Sequence, residues 1–177
     1  MSVTIRNAQQ GDALRIAQIH VAAWQKGYSN LMNADFLKSL SIEDMLVSWT
    51  KALEERGKGR YLVIELNSNI MGFAVYGPSR DDDLSEKSDG ELVALNIHPT
   101  EWRNGLGKKL LTSVCEDLAS ECYKSVNLWV ISGNYPAIDL YKTAGFTYSG
   151  ISKIDIKHTG YPIDCLLYTS PSPRDRG

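Results

Sequence analysis

The run Glu91-Leu-Val-Ala-Leu-Asn-Ile-His98 is largely apolar, stops at Pro99, and passes through Arg103-Asn104-Gly105-Leu106-Gly107-Lys108 into an amphipathic stretch lasting to about Ala119. An apolar strand that feeds a helix through so short a glycine loop constrains this part of the chain to a β-loop-α unit. The first N–H groups of such a helix have no intrahelical acceptor, and the helix dipole adds positive potential there, so the loop is a ready site for phosphate oxygens. Gly105 and Gly107 let a ligand approach the backbone without a Cβ in the way. The two commoner phosphate loops do not fit. A P-loop needs glycine where Trp102 stands and Ser or Thr at Lys109, and a dinucleotide fingerprint needs glycine at Leu110. Taken alone, the same glycines also suit a plain tight turn before a helix.

The remaining pattern alternates strands and helices. Val3 to Arg6 reads as a short strand, and from Gly11-Asp12 a helix follows with Leu14, Ile16, Ile19, Ala22 and Ala23 at helical spacing. Trp24 to Asn33 reads as a helix end and loop, Ile42 to Arg56 as a helix, and Tyr61 to Leu66 with Ile70 to Tyr76 as a hairpin turning at Asn67-Ser68-Asn69. Gly77 to Gly90, carrying Asp81, Asp82, Asp83, Glu86 and Asp89, reads as a solvated acidic loop. Beyond the glycine unit come a strand at Val126 to Ile131, a helix from Tyr135 to Ala144 stopped by Gly145, a strand at Phe146 to Asp155, and a last strand beginning near Tyr161. With neither repeats nor a linker, residues 1–164 are expected to form a single mixed α/β domain.

Composition narrows the partners. A formal charge of -2 without a long basic run disfavours nucleic acid, and no apolar stretch approaches the roughly 20 residues that span a bilayer. The expectation is a cytoplasmic protein acting on a small molecule. Cys115, Cys122 and Cys165 form no CxxC pair and have no histidines at ligand spacing, so neither a disulfide framework nor a metal site is expected.

A second segment sharpens the reading of the glycine loop. After the strand at Val126 to Ile131, Asn134, Ala137, Leu140, Tyr141, Gly145 and Phe146 stand in the string NYPAIDLYKTAGF. Together the two segments resemble the GCN5-related N-acetyltransferase superfamily, in which Gln/Arg-x-x-Gly-x-Gly/Ala binds acetyl-coenzyme A and a later helix reads Asn-x-x-Ala-x-x-Leu-Tyr-x-x-x-Gly-Phe. The opening IRNAQQGDALRIAQIHVAAWQKGY is similar too, so the likeness covers about Val3 to Asp164. One departure is visible: Trp102 occupies the usual Gln/Arg position, and the arginine is displaced to Arg103.

The resemblance implies an acyl-CoA N-acyltransferase fold: a central, mostly antiparallel twisted sheet flanked by helices, with its fourth and fifth strands splayed. It implies acetyl-CoA as cosubstrate, its pantetheine arm along Leu95, Asn96 and Ile97, and its diphosphate on the amides of Arg103, Asn104, Gly105, Leu106, Gly107 and Lys108. Asn134 would meet the pantetheine arm, though a helix N-cap accounts for it equally well. An amine attacks a thioester only when unprotonated, so a base is needed. Glu91, fourteen positions before Gly105, matches the catalytic glutamate of the eponymous enzymes, and Tyr141 matches the tyrosine that protonates the leaving thiolate. Trp24 and Tyr28 are expected beside the acceptor, a small-molecule or peptide amine that attacks directly in a ternary complex. A homodimer is compatible with this fold. The rival class is a non-catalytic acyl-CoA sensor, which would keep the loop and lose acid and base.

The end of the chain changes character. Cys165-Leu-Leu-Tyr-Thr-Ser-Pro-Ser-Pro-Arg-Asp175 is Ser/Pro-rich, lacks periodicity and resembles the in-frame translation of a sequencing-library adapter. Residues 165–177 are therefore expected to be non-native and the final strand to be cut short after about Asp164.

Overall fold

The computed structural model describes residues 2–81 and 84–171; Asp82 and Asp83 of the acidic loop and residues 172–177 of the tail lie outside them. Seven strands form one sheet: β1 Val3–Asn7, β2 Arg60–Leu66, β3 Asn69–Pro78, β4 Asp89–Ile97, β5 Ser125–Ile131, β6 Thr147–Asp155 and β7 Ile163–Pro171, in the order β1-β2-β3-β4-β5-β7-β6. Every pairing is antiparallel except β4 with β5, as a strand-helix-strand crossover requires. Five α-helices accompany it among the described residues: α1 Ala13–Gly27, α2 Ala34–Ser39, α3 Ile42–Glu55, α4 Leu106–Ser120 and α5 Tyr135–Thr143. No helix among the described residues is long and apolar enough to cross a membrane.

The sheet separates two apolar cores, which fixes the mixed α/β layering. On one face Ile64, Ala74, Tyr76, Leu92 and Ile97 pack with Leu110, Leu111, Val114 and Leu118 of α4 and with Ile138 and Tyr141 of α5. On the other, Val63 and Phe73 pack with Ile16 and Ile19 of α1 and Leu53 of α3. Within α1 the buried set is Ala13, Ile16, Ala17, Ile19, Val21 and Ala23; Leu14, expected on that face, is 47% exposed because it lies one residue, about 100° of helix, from Ala13. Helix α2 escaped the sequence reading because six residues hold too few turns for a period to show. Its start is nevertheless conventional, with Asn33 Oδ1 accepting the Phe36 N–H at 3.0 Å.

The C-terminal strand also differs from expectation. It does not stop near Asp164: β7 continues through Pro171 between β5 and β6, with Cys165, Leu167, Tyr168 and Ser170 buried. The physical reason lies in Leu166 to Thr169, a run of apolar and β-favouring residues whose alternate side chains reach the core even though Ser and Pro follow.

One close approach holds the centre of the sheet. Gly72 of β3 lies opposite Ile97 of β4, and a Cβ there would collide with Ile97 Cδ1 and come within 2.9 Å of the Asn96 carbonyl oxygen and 3.0 Å of Ile64 Cγ2. Backbone cannot swing aside as a side-chain tip can. Gly72→Ala is therefore expected to destabilise the fold by about 2 kcal/mol, read as a lower urea midpoint; an unchanged midpoint would show that the strands separate freely here.

Candidate functional site

Strands β4 and β5 pair in register from Asp89↔Ser125 to Leu92↔Leu128 and no further, whereas β4 continues to Ile97 along β3. They part after Leu92, which leaves the β5-facing edge of Val93 to Ile97 without a strand partner. A bulge marks the place: Val75 faces Ala94 and Tyr76 faces Leu92, so Val93 is the extra residue of β4. Below the parting, polar side chains join the two strands. Ser125 Oγ donates to Asp89 Oδ1 at 2.6 Å, and Asn127 Nδ2 donates to Ser125 Oγ at 3.0 Å and to the Gly90 carbonyl at 3.3 Å.

Backbone alternation decides which groups the cleft offers. His98 N–H donates to Met71 O on β3 at 2.7 Å, so the backbone groups of Ile97, and of Leu95 two residues back, turn the other way, into the gap, where the Ile97 carbonyl already accepts from Trp102 Nε1 at 2.7 Å. Both residues were expected along the cofactor arm. Asn96 differs: its backbone groups turn toward Phe73 in β3, so they are already occupied by the sheet.

The glycine loop lies at the far end of this edge. Arg103 and Gly105 both adopt left-handed conformations, with φ of 66° and 81°, and Gly105 is the N-cap of α4. The amides of Gly105, Leu106, Gly107 and Lys108 donate to no described residue, and the first turn of α4 holds no acidic side chain. Arg103, Asn104, Gly105 and Lys108 are exposed, while Leu106 is buried as the helix's first core contact. Unmatched N–H groups, the positive end of a fifteen-residue helix and two flanking cations suit a diphosphate. The residues present therefore fit acetyl-CoA. A Cβ on Gly107 would lie 3.5 Å from Leu140, 3.8 Å from Ile97 and 4.0 Å from Leu95, so α5 closes against the same edge of β4.

Glu91 lies one pair below the parting. Its register partner Gly77 shares its face with Val75 and Phe73, which sets the carboxylate on the α1 side of the sheet, opposite the α4 core. The side chain is 5% exposed. It is held by a residue that sequence reasoning missed: Arg80 donates from its backbone N–H to Oε1 at 2.9 Å, from Nε to Oε1 at 3.3 Å and from its terminal nitrogen to Oε2 at 2.7 Å. The loop expected to be solvated thus begins with a buried Ser79 and an arginine clamped onto β4. A lone cation between Pro78 and an acidic run was the available signal.

Tyr141 is buried within the α4-side core, packed 5.9 Å from Phe146 between ring centres. Its hydroxyl bonds to no other described residue, and burial raises its pKa well above that of a free phenol. Tyr28 is close enough that ionising one phenol disfavours ionising the other; burial pushes Tyr28 up to about 12. Both phenols stay protonated at neutral pH. Trp24 packs edge-on to Tyr28 at 5.3 Å, and a Cβ built on Gly133 would lie 3.0 Å from Leu31, so the segment after α1 leans on the β5-α5 turn. Asn134 stands at the N-cap of α5, but its side chain caps nothing. No group of three or more His, Cys, Asp or Glu is placed to hold a metal among the described residues.

The chain matches the model of the acetyltransferase (GNAT) family over residues 16–146. It is 33% identical over 141 residues to the uncharacterized N-acetyltransferase YuaI of Bacillus subtilis, covering 79% of this chain and 78% of that one. It is 28% identical over 146 residues to the L-amino acid N-acyltransferase MnaT of Escherichia coli, covering 81% and 79%. In fold it is similar to the PaiA N-acetyltransferase of Thermoplasma acidophilum in complex with coenzyme A, with a TM-score of 0.75, 17% identity, and 97% and 99% of the two chains covered.

Proposed function

This chain belongs to the acetyltransferase (GNAT) family and is an acetyl-CoA-dependent N-acetyltransferase, and from that premise we propose how its residues divide the work. The observation that carries the proposal is the parting of β4 from β5 just beyond Glu91. Leu95 and Ile97 offer backbone groups to the thioester arm, while Asn134, with its side chain uncommitted, meets that arm from the opposite wall. The amides from Arg103 to Lys108 hold the diphosphate, with Arg103 and Lys108 adding charge. The Ile97 N–H polarises the thioester carbonyl.

Glu91 accepts the proton of the acceptor ammonium, directly or through water, and the free amine then attacks. The nitrogen–carbonyl bond forms as the carbon–sulfur bond breaks, Tyr141 donates its phenolic proton to the departing thiolate, and the proton that the nitrogen loses as the amide forms returns to the Tyr141 phenolate. A phenol kept protonated by burial, its hydroxyl uncommitted, is suited to that step. Tyr141→Phe is expected to lower turnover by about 10-fold with little change in affinity for CoA; unchanged turnover would remove the role.

Trp24 and Tyr28 wall the acceptor side, and the acceptor we favour is a small amine that also carries a carboxylate. Arg80 supports this choice. Its guanidinium is fixed by Glu91 yet 63% exposed, so it retains donors for an anion beside the base. The relative named as an L-amino acid N-acyltransferase points the same way. A thiol-release assay with acetyl-CoA over free amino acids, polyamines, aminoglycosides and peptides tests both levels. Turnover confined to polyamines would overturn the acceptor class, and tight CoA binding without turnover on any amine would favour a sensor.

Three subsidiary proposals accompany this reading. The reaction belongs in the cytoplasm, and a reporter fusion found elsewhere would contradict it. Two copies meet at the β6 edge, where Tyr148, Ile151 and Ile154 are exposed; a monomer across the micromolar range by sedimentation would exclude that pairing. Residues 165–177 are not native, and an unbroken natural reading frame through Gly177 on resequencing would refute this.

A further inference from the structure

Trp102 has no part in the chemistry above, yet it ties together three elements that serve it. Its indole Nε1 donates to the Ile97 carbonyl at 2.7 Å, closing the end of β4 against the glycine loop. The distal edge of its ring lies on the last residue of α1: a Cβ built at Gly27 would be 3.7 Å from Cη2 and 3.9 Å from Cζ2. Lys26 Nζ stands 5.7 Å from the ring centre.

The loop beyond it needs such an anchor. A left-handed residue other than glycine costs on the order of 1 kcal/mol and persists only where its surroundings hold it. Arg103, at φ 66°, directly follows Trp102. Other bonds made by residues 102–105 stay local: Trp102 N–H to Pro99 O at 3.3 Å, Asn104 Nδ2 to Glu101 at 2.9 Å, and Gly105 O receiving Lys109 N–H at 3.2 Å. Among the described residues, the indole bond is the one hydrogen bond that joins these four residues to the sheet.

We propose that Trp102 is a positioning residue for acetyl-CoA. By pinning the loop to Ile97, it holds the amides of Gly105 to Lys108 at a fixed distance from the cleft edge of Leu95 and Ile97, so that diphosphate and thioester are gripped in register. This rests on the N-acetyltransferase reading. The large ring standing where the family usually has Gln or Arg does not touch phosphate; it fixes the backbone that does.

The consequence is selective. Trp102→Phe keeps an aromatic ring beside the loop but removes the N–H that reaches Ile97 and the distal edge that meets Gly27, so ligands that span loop and cleft should suffer while ligands confined to the cleft should not. Calorimetry with CoA is expected to show about 10-fold weaker binding, the size of one well-aligned hydrogen bond. In the thiol-release assay, kcat/KM for acetyl-CoA should fall by a similar factor, and kcat/KM for acetyl-pantetheine, which lacks the diphosphate, should stay within about 2-fold of wild type. Equal CoA affinity in both proteins would overturn the inference and leave the enzymatic reading intact. A parallel loss with both thioesters would also overturn it, because a general defect in β4 or in folding acts on both. Failure of the wild-type protein to bind CoA would instead remove the reading on which the inference stands.

Discussion

Replacing Glu91 with glutamine is expected to cut kcat/KM for acetyl transfer by about 10²-fold at pH 7 and to leave the affinity for CoA within about 3-fold. The expectation rests on position. Glu91 is buried at the root of the cleft, on the face that carries α1, and its two oxygens are fixed by Arg80. Glutamine preserves the volume and one acceptor oxygen, so the strands should keep their register, whereas the proton acceptor is lost. An acceptor amine with a pKa of about 10.4 is almost entirely protonated at pH 7 and increasingly free above pH 9. The deficit of Glu91→Gln should therefore shrink steadily as pH rises to 9.5, because the solvent takes over deprotonation. Thiol-release rates across pH 6 to 9.5 check this. Rates within 2-fold of wild type at pH 7 would exclude Glu91 as the base, and a deficit constant with pH would assign it to acceptor positioning instead.

The glycine loop and its helix were legible in the sequence because their signal is local: Pro99 stops a strand, Gly105 is needed at a left-handed N-cap, and Leu106, Leu110 and Leu111 mark the buried side of α4. The hairpin was legible for the same reason, its turn residues Asn67 and Ser68 taking positive φ. The ion pair between Arg80 and Glu91 was not, because it depends on the chain doubling back after β3 so that a residue eleven positions earlier meets β4. The parting of β4 and β5 was foreseen only through the family likeness, since no residue type encodes loss of pairing; the bulge at Val93 and the bonds from Ser125 and Asn127 that bracket it are tertiary. Tyr141 shows the limit from the other side. Its helical spacing marks it for the core and its likeness marks it as an acid, and the structure gives it a core position with no hydrogen-bond partner for its hydroxyl among the described residues.

The fold should lose stability with falling pH through a group remote from the loop, His20. Trp49 Nε1, which can only donate, reaches His20 Nδ1 at 3.1 Å, so Nδ1 must be unprotonated and the neutral ring carries its hydrogen on Nε2. That Nε2 is buried and has no hydrogen-bond partner among the described residues. Trp24 and Phe73 pack around the same ring at 4.8 Å and 6.1 Å. Adding a second proton would break the bond to Trp49 and place a charge among aromatic rings, and burial accordingly lowers the imidazole pKa from 6.5 to about 4. Between those values the unfolded chain binds the proton and the folded chain does not, so stability rises with pH there. The contribution is complete above pH 6.5, is lost as pH falls through that window, and levels off below pH 4. A displacement of this size corresponds to roughly 3 kcal/mol. His20→Asn, whose side-chain oxygen can still accept from Trp49 but cannot titrate, should be less sensitive to acid by that amount, whatever its stability at pH 7. Urea unfolding of both proteins at intervals from pH 8 to pH 4 reads the difference directly: the gap between the two curves should narrow or invert as pH falls, and parallel curves would mean that His20 takes up its proton as readily in the folded state as in the unfolded chain.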